Sequence, residues 1–117
     1  MTFLDFDFSD SDDGTASFEA MASVPASRWP ELEREIMQLL AWARGVGECR
    51  ALEEGGDWDF DIDLQRETRH ALRAEPDWAQ ARLRWPAETL AQERFVATLT
   101  LSVCPALVEL FRQRLGA

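Results

Sequence analysis

The chain contains no lysine, no asparagine and no tyrosine, one histidine and two cysteines. The scarcity of cysteine and histidine removes classes of chemistry. Cys49 and Cys104 stand far apart and lack a CxxC context, so neither a disulfide framework nor a zinc knuckle is expected. With His70 as the sole imidazole, a histidine–carboxylate metal site is poorly supplied, and no cofactor is expected. No glycine-rich phosphate loop is present, because Gly55-Gly56 precedes a strand pattern rather than a helix. The longest helical apolar stretch, Ile36 to Ala43, is interrupted by Gln38 and is too short to cross a bilayer. "MTFLDFDF" offers neither a basic n-region nor an apolar h-region, so no signal peptide is read and a cytoplasmic location is expected. The missing Lys, Asn and Tyr all use AT-rich codons. A GC-rich bacterial genome explains that gap, and the preference for Arg carries no functional meaning.

Acid is what the chain has in excess. Of 117 residues, 22 are Asp or Glu and 12 are Arg, a formal charge of −10. The imbalance is lopsided: residues 1–63 hold sixteen acids and four arginines, whereas residues 64–117 hold six acids and eight arginines. Such a field repels nucleic acid and anionic membranes and steers basic proteins toward the acidic half. Apolar content of 46 % places the chain among globular proteins, and its length fits a single domain, 1–117.

The pattern of apolar residues predicts the elements. Thr2 to Phe8 alternates Leu4, Phe6 and Phe8 against Asp5 and Asp7, the period of a half-buried strand. "SDSDDG" then signals a hairpin turn, and Thr15 to Val24 returns with Phe18, Ala20, Ala22 and Val24 on one face. For both strands to bury the same face, paired positions must sum to an even number, so an odd-length loop or a bulge is expected. Pro30 and three glutamates at 31, 33 and 35 open a helix carrying Leu32, Ile36, Leu39, Leu40 and Ala43, with Gly45 as its stop. A loop with a short helical turn near Arg50–Glu54 follows. Strands are predicted at Asp57 to about Thr68, Trp78 to Trp85 and Gln92 to Val103, and Pro105 opens a last helix. The order ββαβββα predicts an α+β fold: an antiparallel sheet of about five strands, two helices on one face and the other face open to water.

"GGDWDFDIDLQ" is the candidate site, with aspartates at 57, 59, 61 and 63. A calcium loop needs Gly at position 6 and Glu at position 12. Counting from Asp57 gives Ile62 and Thr68, and counting from Asp59 gives Leu64 and His70. From Ser9, Gly14 fits but Ala20 occupies the last position. Along a strand, alternate carboxylates stand roughly 6.5–7 Å apart in a line and do not converge on one ion. That spacing suits a glycosidase-like pair, but an open sheet face offers no pocket to raise one pKa. Cys104 with His70 is the only nucleophile–base pair available, and a small residue closing a strand is the simpler reading of Cys104.

Two readings of the row remain. As a solvated face it would be relieved by Arg82 and Arg84 across the neighbouring strand, with Asp63 facing Arg82 and Asp61 facing Arg84. As a docking surface, Glu53, Glu54, Asp57, Asp59, Asp61 and Asp63 supply charge, and Trp78 beside them supplies an aromatic anchor. The sequence therefore leads to the expectation of a non-catalytic acidic binding protein for a basic protein partner. An immunity protein that neutralises a bacterial toxin is its most concrete form, by general character rather than by motif. A secretion chaperone for an effector, and a small hydrolase or transferase using Cys104 or the aspartates, are the alternatives.

Overall fold

Gly14 sits at φ +86°, a conformation that favours glycine, and it closes the first turn by donating its N–H to Ser11 O at 3.0 Å. The Asp13 carboxylate accepts both the N–H and the hydroxyl of Thr15, which hold its carboxyl below the usual range. The flanking strands, β1 (Asp7–Asp10) and β2 (Ala16–Pro25), pair with Phe8 opposite Phe18 and Asp7 opposite Glu19. Every pair sums to an even number across an odd-length loop, so the apolar pattern sets the register as expected. β1 is shorter than the alternation predicts. Residues 2–6 leave the ladder, although Leu4 and Phe6 still bury their side chains in the core.

The computed structural model describes residues 1–66, 71–84 and 94–117, with residues 71–73 described by backbone alone. Within these, the elements after β2 are α1 (Trp29–Val46), β3 (Trp58–Arg66), β4 (Ala71–Arg73), β5 (Glu75–Asp77), β6 (Arg82–Arg84), β7 (Arg94–Val103) and α2 (Val108–Leu115). His70, Trp85, Gln92 and the expected strand end at Thr68 lie outside the described residues.

The fold is α+β. Five strands form an antiparallel sheet in the order β1-β2-β7-β3-β4, and β5 and β6 form a separate hairpin. The long strand β7 lies between β2 and β3 and sends Phe95, Ala97, Leu99, Leu101 and Val103 inward, each essentially fully buried. Both helices cover that inner face. Trp29 of α1 packs on Phe95, and Phe111 of α2 meets Phe18, Trp42 and Trp58. The expected ββαβββα order is matched only roughly. The predicted strand 78–85 is not one strand: Trp78 to Ala81 form a turn, with Ala81 at φ +52°, between β5 and β6. Of the alternation Ala79, Ala81, Leu83 and Trp85 that predicts it, the first half is alanine, whose small side chains bury too little area to fix a strand.

Two glycines shape the approach to β3. α1 runs through Gly45, the stop that the sequence pattern implies, and ends at Val46. Gly47 follows because a Cβ there would stand 2.8 Å from the Asp57 Cβ. Gly56 is still tighter, since a Cβ would fall 1.8 Å from the backbone oxygen of Arg50. Just past Gly56, Asp57 and Trp58 donate their N–H groups to Glu48 O, and the Trp58 indole donates to Gly47 O at 3.0 Å. Trp58 is thereby fixed inward, and β3 leaves this loop with one face committed to the core.

Candidate functional site

With Trp58 and Leu64 buried and Phe60 and Ile62 half-buried, β3 must aim Asp59, Asp61 and Asp63 at the other face. Asp61 and Asp63 are exposed, and Asp59 is half-buried. β7 brings them into line with β2. Thr100 stands opposite Asp61 on one side and Glu19 on the other, and Glu19 stands opposite Asp7. One level of the open face therefore reads Asp7, Glu19, Thr100, Asp61. Neighbouring levels read Ser17, Ser102, Asp59 and Met21, Thr98, Asp63. Strands stand about 4.8 Å apart, so Glu19 and Asp61 flank a spine of hydroxyls roughly 10 Å from one another. Met21 is 65 % exposed in the midst of this face.

The expected cationic relief is overturned. Arg82 and Arg84 are not on the strand beside β3. Arg82 pairs with Glu33 of α1 at 2.5 Å, and Arg84 lies 3.9 Å from Asp77. Asp63 instead stands opposite Thr98 and Arg73 in the backbone ladders. Among the described residues, Asp7, Glu19, Asp61 and Asp63 make no ion pair. Arg94 lies on this face at its far end, where its guanidinium donates to the hydroxyl and carbonyl of Ser23.

Trp78 is likewise displaced from its expected position. It lies in the β5–β6 turn, half-buried, with the Arg44 guanidinium of α1 4.8 Å from its ring centre. That is the helix side of the molecule, so the structure does not bring Trp78 to the aspartates. Glu53 and Glu54 sit exposed in a single 3-10 turn, Leu52–Glu54, ahead of β3. Asp57 is a loop fastener, its carboxylate accepting the Glu48 N–H at 2.7 Å. Asp59 accepts the Phe60 N–H at 2.9 Å, and burial with Asp59 nearby pushes the Cys49 thiol up. Cys104 is half-buried before a 3-10 turn, Pro105–Leu107, rather than at the start of α2. Among the described residues, no three His, Cys, Asp or Glu side chains gather where a metal ion could be held.

Two polar residues escape the sequence reading. Glu33 is 3 % exposed, and besides Arg82 it accepts the Leu83 N–H at 2.8 Å, fastening the β5–β6 hairpin to α1. The signal for it was present: Glu33 stands one turn before Ile36 and Met37, both buried. Glu35 accepts the N–H groups of Thr2, Phe3 and Leu4 at 2.6, 2.9 and 2.7 Å. Comparison with known proteins gives no match at the level of family models, characterised proteins or solved structures.

Proposed function

We propose that this protein is a non-catalytic binding module that engages a basic protein partner through the open face of its sheet. A toxin-neutralising immunity protein is the most concrete form of that role. One observation carries the reading: Asp7 stands directly opposite Glu19 on adjacent strands, with Asp61 at the same level beyond Thr100. Like charges placed opposite one another in a sheet are destabilising. A face selected only for solubility would set arginine, which this chain has in quantity, opposite one of these two acids rather than acid opposite acid. A partner that supplies the missing cations removes the repulsion and gains complementary charge on binding. Met21 gives the same face an apolar contact that a partner can desolvate. A chaperone that holds its client on apolar surface finds less support, because the other strongly exposed large apolar residues among those described are Met1 and Leu110.

The test is capture from a lysate of the native organism at physiological salt, using tagged wild type beside Glu19→Arg with Asp61→Arg. The wild type is expected to retain a basic protein identified by mass spectrometry. The double variant is expected to bind that protein at least about tenfold more weakly, since juxtaposed like charges cost several kcal/mol. Circular dichroism should show both folded alike. A captured partner that is acidic, or one held equally by the two proteins, overturns the reading.

A further inference from the structure

β2 is ten residues long, but β1 covers only its first four. The turn fixes which backbone groups face the uncovered edge. Ser11 donates its N–H to Thr15 O, which makes 11 and 15 a hydrogen-bonded pair. The alternation of an antiparallel ladder then makes 9–17 and 7–19 hydrogen-bonded pairs as well. Odd-numbered residues of β2 thus aim N–H and C=O outward, and even-numbered ones aim them at β7. Beyond Glu19 the outward groups are those of Met21, Ser23 and Pro25. Pro25 has no N–H, and the Ser23 carbonyl accepts from Arg94 Nη2 at 3.3 Å. The Met21 N–H and C=O and the Ser23 N–H have no hydrogen-bond partner among the described residues.

The chain has a strand suited to that edge and holds it elsewhere. Continued in register, β1 would set Asp5 opposite Met21 and Phe3 opposite Ser23, the pairing its apolar alternation anticipates. The Glu35 carboxylate takes three consecutive N–H groups of this segment instead. Consecutive donors converging on one point are incompatible with an extended strand, whose successive N–H groups point in opposite directions. Open strand edges are templates for another chain, and proteins that do not use them keep them short, charged or covered.

We infer that the outer edge of β2 at Met21–Ser23 is a strand-addition site for an extended basic segment of the partner. The sign of the partner's charge rests on the function proposed above. Geometry supplies the rest: an added strand prolongs the line of β1, so its open-face side chains stand beside Asp7 and Glu19 and against Met21. Basic residues suit the Asp7 end, and the Arg94 end takes neutral ones. Main-chain hydrogen bonds then provide affinity and the alternate side chains provide selectivity.

Amide exchange followed by NMR in the free protein is the first measurement. Met21 and Ser23 are expected to exchange fast while Ala20 and Ala22, bonded to β7, exchange slowly. Equal protection of all four overturns the open edge. The second measurement is binding of a short synthetic peptide alternating arginine and threonine. Binding should slow the Met21 and Ser23 amides, and N-methylation of the peptide's backbone should abolish it. Met21→Pro removes one outward donor without touching the β7 ladder and should weaken binding about tenfold, the effect of one lost hydrogen bond with its misfit. Equal binding of the N-methylated peptide, or no binding at all, overturns the edge site and leaves the basic-partner reading to the capture experiment. Dimerisation that Met21→Pro abolishes makes the occupant a second copy and also overturns it.

Discussion

Carboxylates occupy every second position in two places, Glu31, Glu33 and Glu35 on α1 and Asp59, Asp61 and Asp63 on β3. The backbone gives the same spacing opposite meanings. A strand repeats every two residues, so the aspartates line one face and share one environment. A helix turns 3.6 residues per cycle, so residues two apart point about 200° apart and those four apart about 40°. The glutamates accordingly separate into three tasks. Glu31 pairs with Arg28 in solvent, Glu33 enters the core to hold β6, and Glu35 gathers the N-terminal segment. The helical set is structural, residue by residue. The strand set is a collective surface, and among the described side chains none forms an ion pair with its exposed members.

The sharpest way to break that contrast is to delete the buried member of the helical set. Glu33→Ala leaves the Leu83 N–H buried without its acceptor and frees Arg82, whose side chain is 64 % exposed and returns to water. A loss of about 2 kcal/mol follows, nearer the cost of an orphaned buried donor than that of a fully buried ion pair. Urea denaturation measures it, and Glu33→Gln should recover part of the loss by restoring an acceptor. A loss below about 0.5 kcal/mol in the alanine variant, the range of ordinary surface changes, contradicts the role assigned to Glu33.

The same contrast explains what was legible in the sequence. Strong alternation with large side chains was enough for β2, β3 and β7, because Phe18, Trp58, Phe95 and Leu101 bury too much area to face the other way. The aspartate face came with it, since the outward positions of β3 are fixed once Trp58 is inward. Weak alternation failed. Ala79 and Ala81 could not define a strand, and the hairpin that formed instead carried Trp78 and Arg82 to α1 and left Arg84 beside Asp77. That single error misplaced both the expected anchor and the expected countercharges. Glu35 was unreadable for a different reason: its partners are backbone N–H groups more than thirty residues away, and no side-chain pattern encodes them.

A smaller effect probes the strand set. Asp61→Asn with Asp63→Asn removes repulsion along β3, and the asparagine amide oxygen at 63 can still accept from the Gln65 amide that lies 3.2 Å from the Asp63 carboxylate. Neighbouring charges 7 Å apart in water repel by about 0.6 kcal/mol before salt screens them, so the double variant should gain about 0.5 kcal/mol at low ionic strength. The gain should vanish in molar salt. Thermal or urea unfolding at two salt concentrations reads both numbers. A double variant that loses stability at low salt would mean that these carboxylates hold the fold, as the helical glutamates do, and the distinction between the two sets would fail.

The smallest effect belongs to Glu31, the one helical glutamate that resembles the strand set in being exposed. The hydrogen bond from Arg28 Nε, 2.9 Å away, lowers its carboxyl below the ordinary glutamate value, with the charges of Arg28 and Arg34 adding to this. A depressed pKa in the folded protein favours the fold above the unfolded pKa, and the contribution is lost as pH falls through the folded one. At neutral pH it is therefore fully present. An NMR titration of the Glu31 carboxyl carbon should give a midpoint below that of an ordinary glutamate, and Arg28→Ala should bring it up. The same substitution removes the guanidinium 4.9 Å from the centre of the Phe3 ring. A simultaneous rise in exchange at Phe3 and Leu4 would tie Glu31, through Arg28, to the segment that Glu35 holds. An unmoved midpoint would leave Glu31 as solvated as Asp61, and only Glu33 and Glu35 would then separate the helix from the strand.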